Sequence, residues 1–217
     1  EATAHLRVTV KAADPKLVGR AFSNATMELA LASYSGFHTT TPPTSESAYG
    51  VYWPTLLPAE LIDHQVVLPD GTRRSIPPTP TGRLPESTPR RRPLPPAPEG
   101  ETRRAPLGRV CAARSGDKGG NANVGLWTRS DLEYAWLREH LTVDNLRELL
   151  AEAADLEIRR YELANLHALN FVIVGLLGAG VAASTRPDPQ AKGLGEYLRS
   201  RHVDIPVDLL AEERRDA

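Results

Sequence analysis

With one cysteine, Cys111, the chain cannot close a disulfide on itself or build a cysteine-based metal site. That suits a reducing cytoplasm. Charge of one sign is also lacking. The formal net charge is -1 at pH 7, so nothing global favours nucleic acid or an anionic membrane as partner. Long hydrophobic runs are missing. The most apolar stretch, Phe171 to Ala183, is broken by Gly175, Gly178 and Gly180 and falls short of the roughly 18 apolar residues a membrane helix needs. Glu1 to Lys11 lacks the basic start and apolar run of a signal peptide. The expectation is a soluble, cytoplasmic protein with no membrane and no nucleic-acid partner. The six histidines, His5, His38, His64, His140, His167 and His202, show no close metal-ligand spacing, so no metal site is expected. Methionine is scarce too. The single one, Met27, lies within an expected helix while the chain opens at Glu1, which points to a piece of a longer protein.

Proline is plentiful, with 19 residues unevenly placed among the 217. Pro77, Pro78, Pro80, Pro85, Pro89, Pro93, Pro95, Pro96, Pro98 and Pro106 crowd one region, with Arg90, Arg91 and Arg92 among them. Each proline removes a backbone donor and fixes φ, and few apolar residues are present to offset the entropy of ordering. Residues 77–106 therefore read as an extended linker of polyproline character, unable to join a sheet ladder. Its arginines lack interleaved aromatics and read as a solvated tether.

Residues 1–76 begin with the alternation Leu6, Val8, Val10, a half-buried strand. Asp14 caps a helix with Pro15 at its first position, and Leu17, Val18, Ala21, Phe22, Ala25 and Leu29 form one apolar face that stops near Gly36. A strand from Asp63 to Leu68 ends in an Asp70-Gly71 turn. So few elements make a thin core, and this piece is expected to lean on something else.

Residues 107–217 are more self-sufficient. Strands Leu107 to Ala113 and Asn123 to Thr128 flank a glycine-rich loop. Ser130 and Glu133 have capping-box spacing, and Thr142 restarts a second helix. Strands Leu156 to Leu163 and Leu169 to Val174 follow, and Asp188 with Pro189 opens a last helix carrying Leu194, Tyr197 and Leu198 on one face. The order strand-strand-helix-strand-strand-helix favours an α+β fold, a ferredoxin-like antiparallel sheet with helices on one face.

The flanked loop is Arg114-Ser115-Gly116-Asp117-Lys118-Gly119-Gly120-Asn121-Ala122-Asn123. Gly116, Gly119 and Gly120 permit positive φ, so successive N–H groups can converge on an anion. Arg114 and Lys118 add charge, while Ser115, Asn121 and Asn123 add hydrogen bonds suited to a phosphate or carboxylate. The plainer alternative is a solvated hairpin loop, for which Gly, Asn and Asp are the usual residues. Neither phosphate-loop signature is present. Ser115 and Lys118 satisfy Ser-x-x-Lys, but that nucleophile sits on a helix, and Gly119-Gly120 argues against one. Arg186, before an expected helix start, is a second anion contact facing the same pocket as Arg114. Asp188 reads as a helix cap, and His167, Asn170 and Lys192 are further candidates.

Four runs then carry a resemblance: Tyr49-Gly50-Val51-Tyr52-Trp53-Pro54 with the strand to Asp70-Gly71, Arg114-Ser115-Gly116-Asp117-Lys118-Gly119, Leu166-His167-Ala168-Leu169-Asn170-Phe171, and Asp188-Pro189-Gln190-Ala191-Lys192. The chain resembles the C-terminal part of the acyclic terpene utilisation, or AtuA-like, family. The resemblance implies that residues 1–76 are the tail of a larger upstream α/β domain and that residues 107–217 are a ferredoxin-like domain. It also implies bacterial breakdown of acyclic terpenols such as citronellol and geraniol through CoA thioesters. The expected function is a domain of a catabolic enzyme acting on acyl-CoA intermediates of acyclic terpene or branched-chain breakdown. A CoA thioester would be its substrate, no other cofactor is evident, and no catalytic residue is assigned. The competing expectation is a non-catalytic assembly module that docks an upstream domain or partner subunit, consistent with a homo-oligomer.

Overall fold

The computed structural model describes residues 4–32, 34–80, 82 and 93–210, which fall into two units, Glu1–Gly50 and Val51–Ala217. Arg90, Arg91 and Arg92 lie outside the described residues.

In the Glu1–Gly50 unit the Asp14 side chain accepts the Lys16 N–H at 3.0 Å, and Pro15 opens helix α1, Pro15–Val18. Gly19 interrupts the helix, which resumes as α2, Arg20–Leu29. The expected strand at Leu6, Val8 and Val10 does not form. The unit offers no described second strand to complete a ladder, and Leu6 is 92% exposed. No residue of α2 is buried, so its apolar stripe has no core to face within this unit.

The Val51–Ala217 unit opens with a small exposed hairpin, β1 Gln65–Val67 and β2 Arg73–Ser75. Gly71 turns it at φ +81°, and Asp70 accepts the Thr72 N–H at 2.9 Å, a bond that lowers the carboxyl pKa. The core elements follow. Strand β3, Thr102–Pro106, pairs antiparallel with β8, His202–Pro206. Strands β4 Ala112–Lys118, β5 Asn121–Trp127, β6 Ile158–Leu163 and β7 Ala168–Ile173 form one sheet in the order β4-β5-β7-β6, with every neighbouring pair antiparallel. Helices α3 Asp131–His140 and α4 Val143–Leu149 lie between β5 and β6 in sequence, and α5 Leu194–Ser200 precedes β8. The short α6, Val207–Leu210, ends the described chain. The fold is α+β, antiparallel sheets with helices.

Period-two burial explains the layering. Ala122, Val124 and Leu126 of β5 and Leu169, Phe171 and Ile173 of β7 join Tyr134 and Leu137 of α3, Leu146 of α4 and Leu198 of α5 in one core. The capping box at α3 is complete: Ser130 Oγ accepts the Glu133 N–H at 3.2 Å, and Glu133 Oε2 accepts the Ser130 N–H at 2.9 Å. Thr142 caps α4 by accepting the Asn145 N–H at 3.1 Å.

Three expectations need correction. Residues 102–106, read as linker, are strand β3. Thr102 to Ala105 keep their backbone donors, and Pro106 sits at the ladder's end opposite His202. The proline-rich stretch before it also docks, since Leu94 and Ala97 pack against the core. The strand expected from Leu107 is a 3-10 turn, Leu107–Arg109, whose Leu107 is fully buried, and β4 starts only at Ala112. The helix expected to open at Asp188-Pro189 is α5, which begins only at Leu194. Asp188 accepts the N–H groups of Lys192 and Gly193 at 2.9 and 2.8 Å in a turn that precedes the helix.

Candidate functional site

The ten-residue loop expected from Arg114 to Asn123 is instead a tight hairpin. Arg114 to Lys118 are strand, Asn121 pairs with Lys118, and Gly119-Gly120 alone make the turn. Of Gly116, Gly119 and Gly120, only Gly119 has the positive φ a nest requires, at 63°. Alternate backbone groups are engaged in the β4–β5 ladder, so no multi-residue N–H nest forms. The turn is packed rather than open. A Cβ on Gly120 would collide with the Gly178 carbonyl oxygen, and one on Gly119 would lie 2.9 Å from the Tyr52 ring. Gly120 C=O accepts the Leu177 N–H, and Asn121 Oδ1 accepts the Gly175 N–H, both at 2.9 Å. Gly119, Gly120 and Asn121 thus hold the hairpin against the 175–180 segment.

What the hairpin does create is a polar sheet face. Directly paired residues of antiparallel strands share a face, about 5 Å apart, and successive rows lie about 7 Å apart. Ser115 faces α5, because its Oγ accepts the Gly195 N–H at 2.8 Å. Arg114, Gly116 and Lys118 therefore point to the opposite, outer face. One row there is Arg114, Gly125, Asn170 and Tyr161. The next is Gly116, Asn123, Val172 and Arg159, and beyond it come Lys118 and Asn121. On the other side the row is Ala112, Trp127, Ala168 and Leu163. Asn123 Nδ2 donates to Asn170 Oδ1 at 3.2 Å, joining two rows.

Gly116 supplies the decisive detail. A Cβ on it would lie 3.1 Å from Lys192 Nζ. Lys192 follows the Asp188 turn, so its side chain wraps round the β4 edge and sets an ammonium where Gly116 has no side chain. Arg114, Lys192 and Lys118 then form a line of cations along the β4 side of the outer face, with no acidic residue on β4 or β5 facing them. Lys118 Nζ donates to the Asp117 carbonyl at 3.0 Å, and Asp117 itself alternates to the other face. Arg159 is paired with Glu157 at 2.6 Å. No ion pair among the described residues engages Arg114, Lys118 or Lys192.

Two family models match the chain: the AtuA ferredoxin-like domain over residues 105–204, and the acyclic terpene utilisation family protein AtuA over residues 1–68. The chain is an AtuA-like protein with a ferredoxin-like domain. The first match spans strands β4 to β7 and the outer face they build. No curated protein and no solved structure matches it. Family membership points to a role related to terpene utilisation.

Other candidate residues of this AtuA-like chain lie elsewhere. Arg186 pairs with Glu152 Oε1 at 2.6 Å beside a cleft of about 250 Å³ lined also by Leu176, Asp188, Leu194 and Tyr197, but not by Arg114. The structure does not bring the two arginines together. His167 adopts φ 49° at the β6–β7 turn, and its Nε2 lies 2.8 Å from Asp131 Oδ1 at the start of α3, a fastening between turn and helix. Ser115 is 8% exposed, with its hydroxyl held by Gly195 and Lys192, so nothing marks it as a nucleophile. Cys111 is buried, donates to the Leu107 carbonyl, and has its thiol pushed up to about 12 by burial, which leaves it unreactive near neutral pH.

Sequence reasoning missed Tyr161 and Trp127, which reach the outer face only through register. It also missed a cleft of about 530 Å³, where Arg104, His140, Arg201 and His202 stand with Glu148 and Asp204. Those residues come from α3, α4, β3, the end of α5 and β8, and no local motif links them. Among the described residues no cluster is arranged to hold a metal ion, and no helix is long and apolar enough to cross a membrane.

Proposed function

We propose that the outer face of the four-stranded sheet binds an anionic acyl-CoA-type intermediate of acyclic terpene or branched-chain breakdown, as part of an acyl-CoA-processing enzyme. One observation carries this reading: the Lys192 ammonium lies over Gly116 in line with Arg114 and Lys118, while Glu157 at the far side of the face is taken up by Arg159. From Arg114 to Lys118 the strand covers about 13 Å, a length suited to a ligand with more than one phosphate. The Asn123–Asn170 pair offers amide donors and acceptors beside the cations. Tyr161, Trp127 and Leu163, each at least 39% exposed, give a hydrocarbon chain an apolar end to lie against. Gly125 and Ala168 between them keep the floor flat.

Isothermal titration with CoA and with geranyl-CoA tests the proposal. Replacing Arg114, Lys118 or Lys192 with alanine is expected to weaken CoA binding by about tenfold each, because each removes a charge-assisted contact to phosphate. Geranyl-CoA should bind more tightly than CoA. Equal heats for wild type and all three variants, or no heat at all, would sink the reading.

A second reading has its own observation. Trp127 and Leu163 are exposed in one row at an end of the same face, and Leu166 is exposed in the turn beside it, as expected of a surface that docks a partner subunit in a non-catalytic assembly. Light scattering separates the two. A Trp127→Ser chain that loses oligomeric state while keeping CoA affinity favours assembly.

A further inference from the structure

Lys192 does not belong to the sheet, so its ammonium reaches the outer face only if the backbone beneath it is held in place. Both of its peptide groups are tied by side chains. Asp188 Oδ1 accepts the Lys192 N–H at 2.9 Å, and Asp188 Oδ2 accepts the Gly193 N–H at 2.8 Å. On the other side, Ser115 Oγ donates to the Lys192 carbonyl at 3.3 Å while accepting the Gly195 N–H at 2.8 Å. Between these anchors Ala191 is buried at φ 51°, a conformation alanine seldom takes, so the turn's shape is imposed by its surroundings. Close packing completes the clamp: a Cβ on Gly195 would lie 3.2 Å from Ala113 Cβ and 3.4 Å from Ser115 Oγ. The helix start therefore seats directly on β4, one residue from Gly116.

We infer that Ser115 and Asp188 are positioning residues that present the Lys192 ammonium above Gly116. The inference rests on the outer-face anion reading and says how that site is built. A lysine on a free turn must order its backbone as well as its stem when an anion arrives. Here the backbone is already fixed, and only the side-chain rotamers remain to be ordered. The Ser-x-x-Lys spacing is not used, since Lys118 bonds the Asp117 carbonyl instead. The lysine that Ser115 serves is Lys192, 77 residues away.

The alternative is that Ser115 only pins α5 to β4, which would affect stability without acting through Lys192. A double-mutant cycle on the full chain separates the two. CoA affinity is measured at fixed ionic strength for wild type, Ser115→Ala, Lys192→Ala and the double variant, with thermal midpoints alongside. Ser115→Ala is expected to weaken CoA binding about three- to tenfold in the wild-type background, the effect of one lost hydrogen bond on a charged contact. In the Lys192→Ala background it should change nothing. An equal loss in both backgrounds, or none in either, overturns the inference. Should Ser115→Ala fail to fold, Asp188→Ala measured in the same two backgrounds gives the same decision, since it frees the Lys192 N–H and leaves Ser115 in place. Failure of the underlying site reads differently: Lys192→Ala would then bind CoA as wild type does, or wild type would not bind it.

Discussion

Gly116 and His140 show two ways in which a single residue's surroundings decide what it does. Gly116 matters for the side chain it lacks, because the space opposite Asn123 is where the Lys192 ammonium lies. His140 matters for what covers it. Its ring stacks on Trp136 with centroids 4.6 Å apart, and burial lowers its pKa below the ordinary 6.5, against a weaker upward pull from Asp204. The folded protein then binds fewer protons than the unfolded chain as pH falls below 6.5. This contribution to stability is therefore full above that value and declines as pH falls through the lowered folded value. Thermal melts at about pH 7.5 and about pH 5.5 are expected to show a lower midpoint in acid, with the gap reduced in His140→Gln. A gap that the substitution leaves untouched would trace the acid sensitivity to other groups. None of this was legible in the sequence, where His140 was one of six unpatterned histidines.

At the scale of the element, the β4–β5 hairpin carries the main correction. Glycine and asparagine are turn residues, so their density between Arg114 and Asn123 read as a loop. In a strand, glycine instead marks a close approach, and that is the role of Gly116 beneath Lys192. The turn glycine Gly120 does the same against the Gly178 carbonyl. The signal that would have moved the boundary was present: Ala122, Val124 and Leu126 alternate and are all buried, which extends the strand back to the turn. Gly120→Ala is expected to destabilise the protein by about 1–3 kcal/mol, because the added methyl meets a backbone carbonyl that has no flexible end to move. Urea unfolding with an unchanged slope would measure it. A wild-type midpoint would mean that the 175–180 segment yields freely. The helices were easier to read, since Ser130, Glu133 and Thr142 cap through bonds spanning three residues.

Across the whole molecule, burial is unequally distributed. Among the described residues the Val51–Ala217 unit holds all those of the hydrophobic core, whereas α2 buries none of its own. Hydrogen exchange should follow that division. Amides of β5 and β7, flanked on both sides in the sheet, are expected to be the slowest, and those of α2 among the fastest. Protection of α2 equal to that of β7 would contradict this and show that its apolar stripe is covered in solution.

The sequence by itself determined the α+β class, the strands around 158–163 and 168–173, and the caps of α3 and α4. All of these depend on periodicity and on hydrogen bonds that reach only a few residues along the chain. Tertiary structure alone decided the sheet order, which residues share the outer face, and the path of Lys192 round the β4 edge. Those outcomes come from pairing and packing between segments far apart in sequence, as in the bond from Ser115 to Lys192, and no local pattern encodes them.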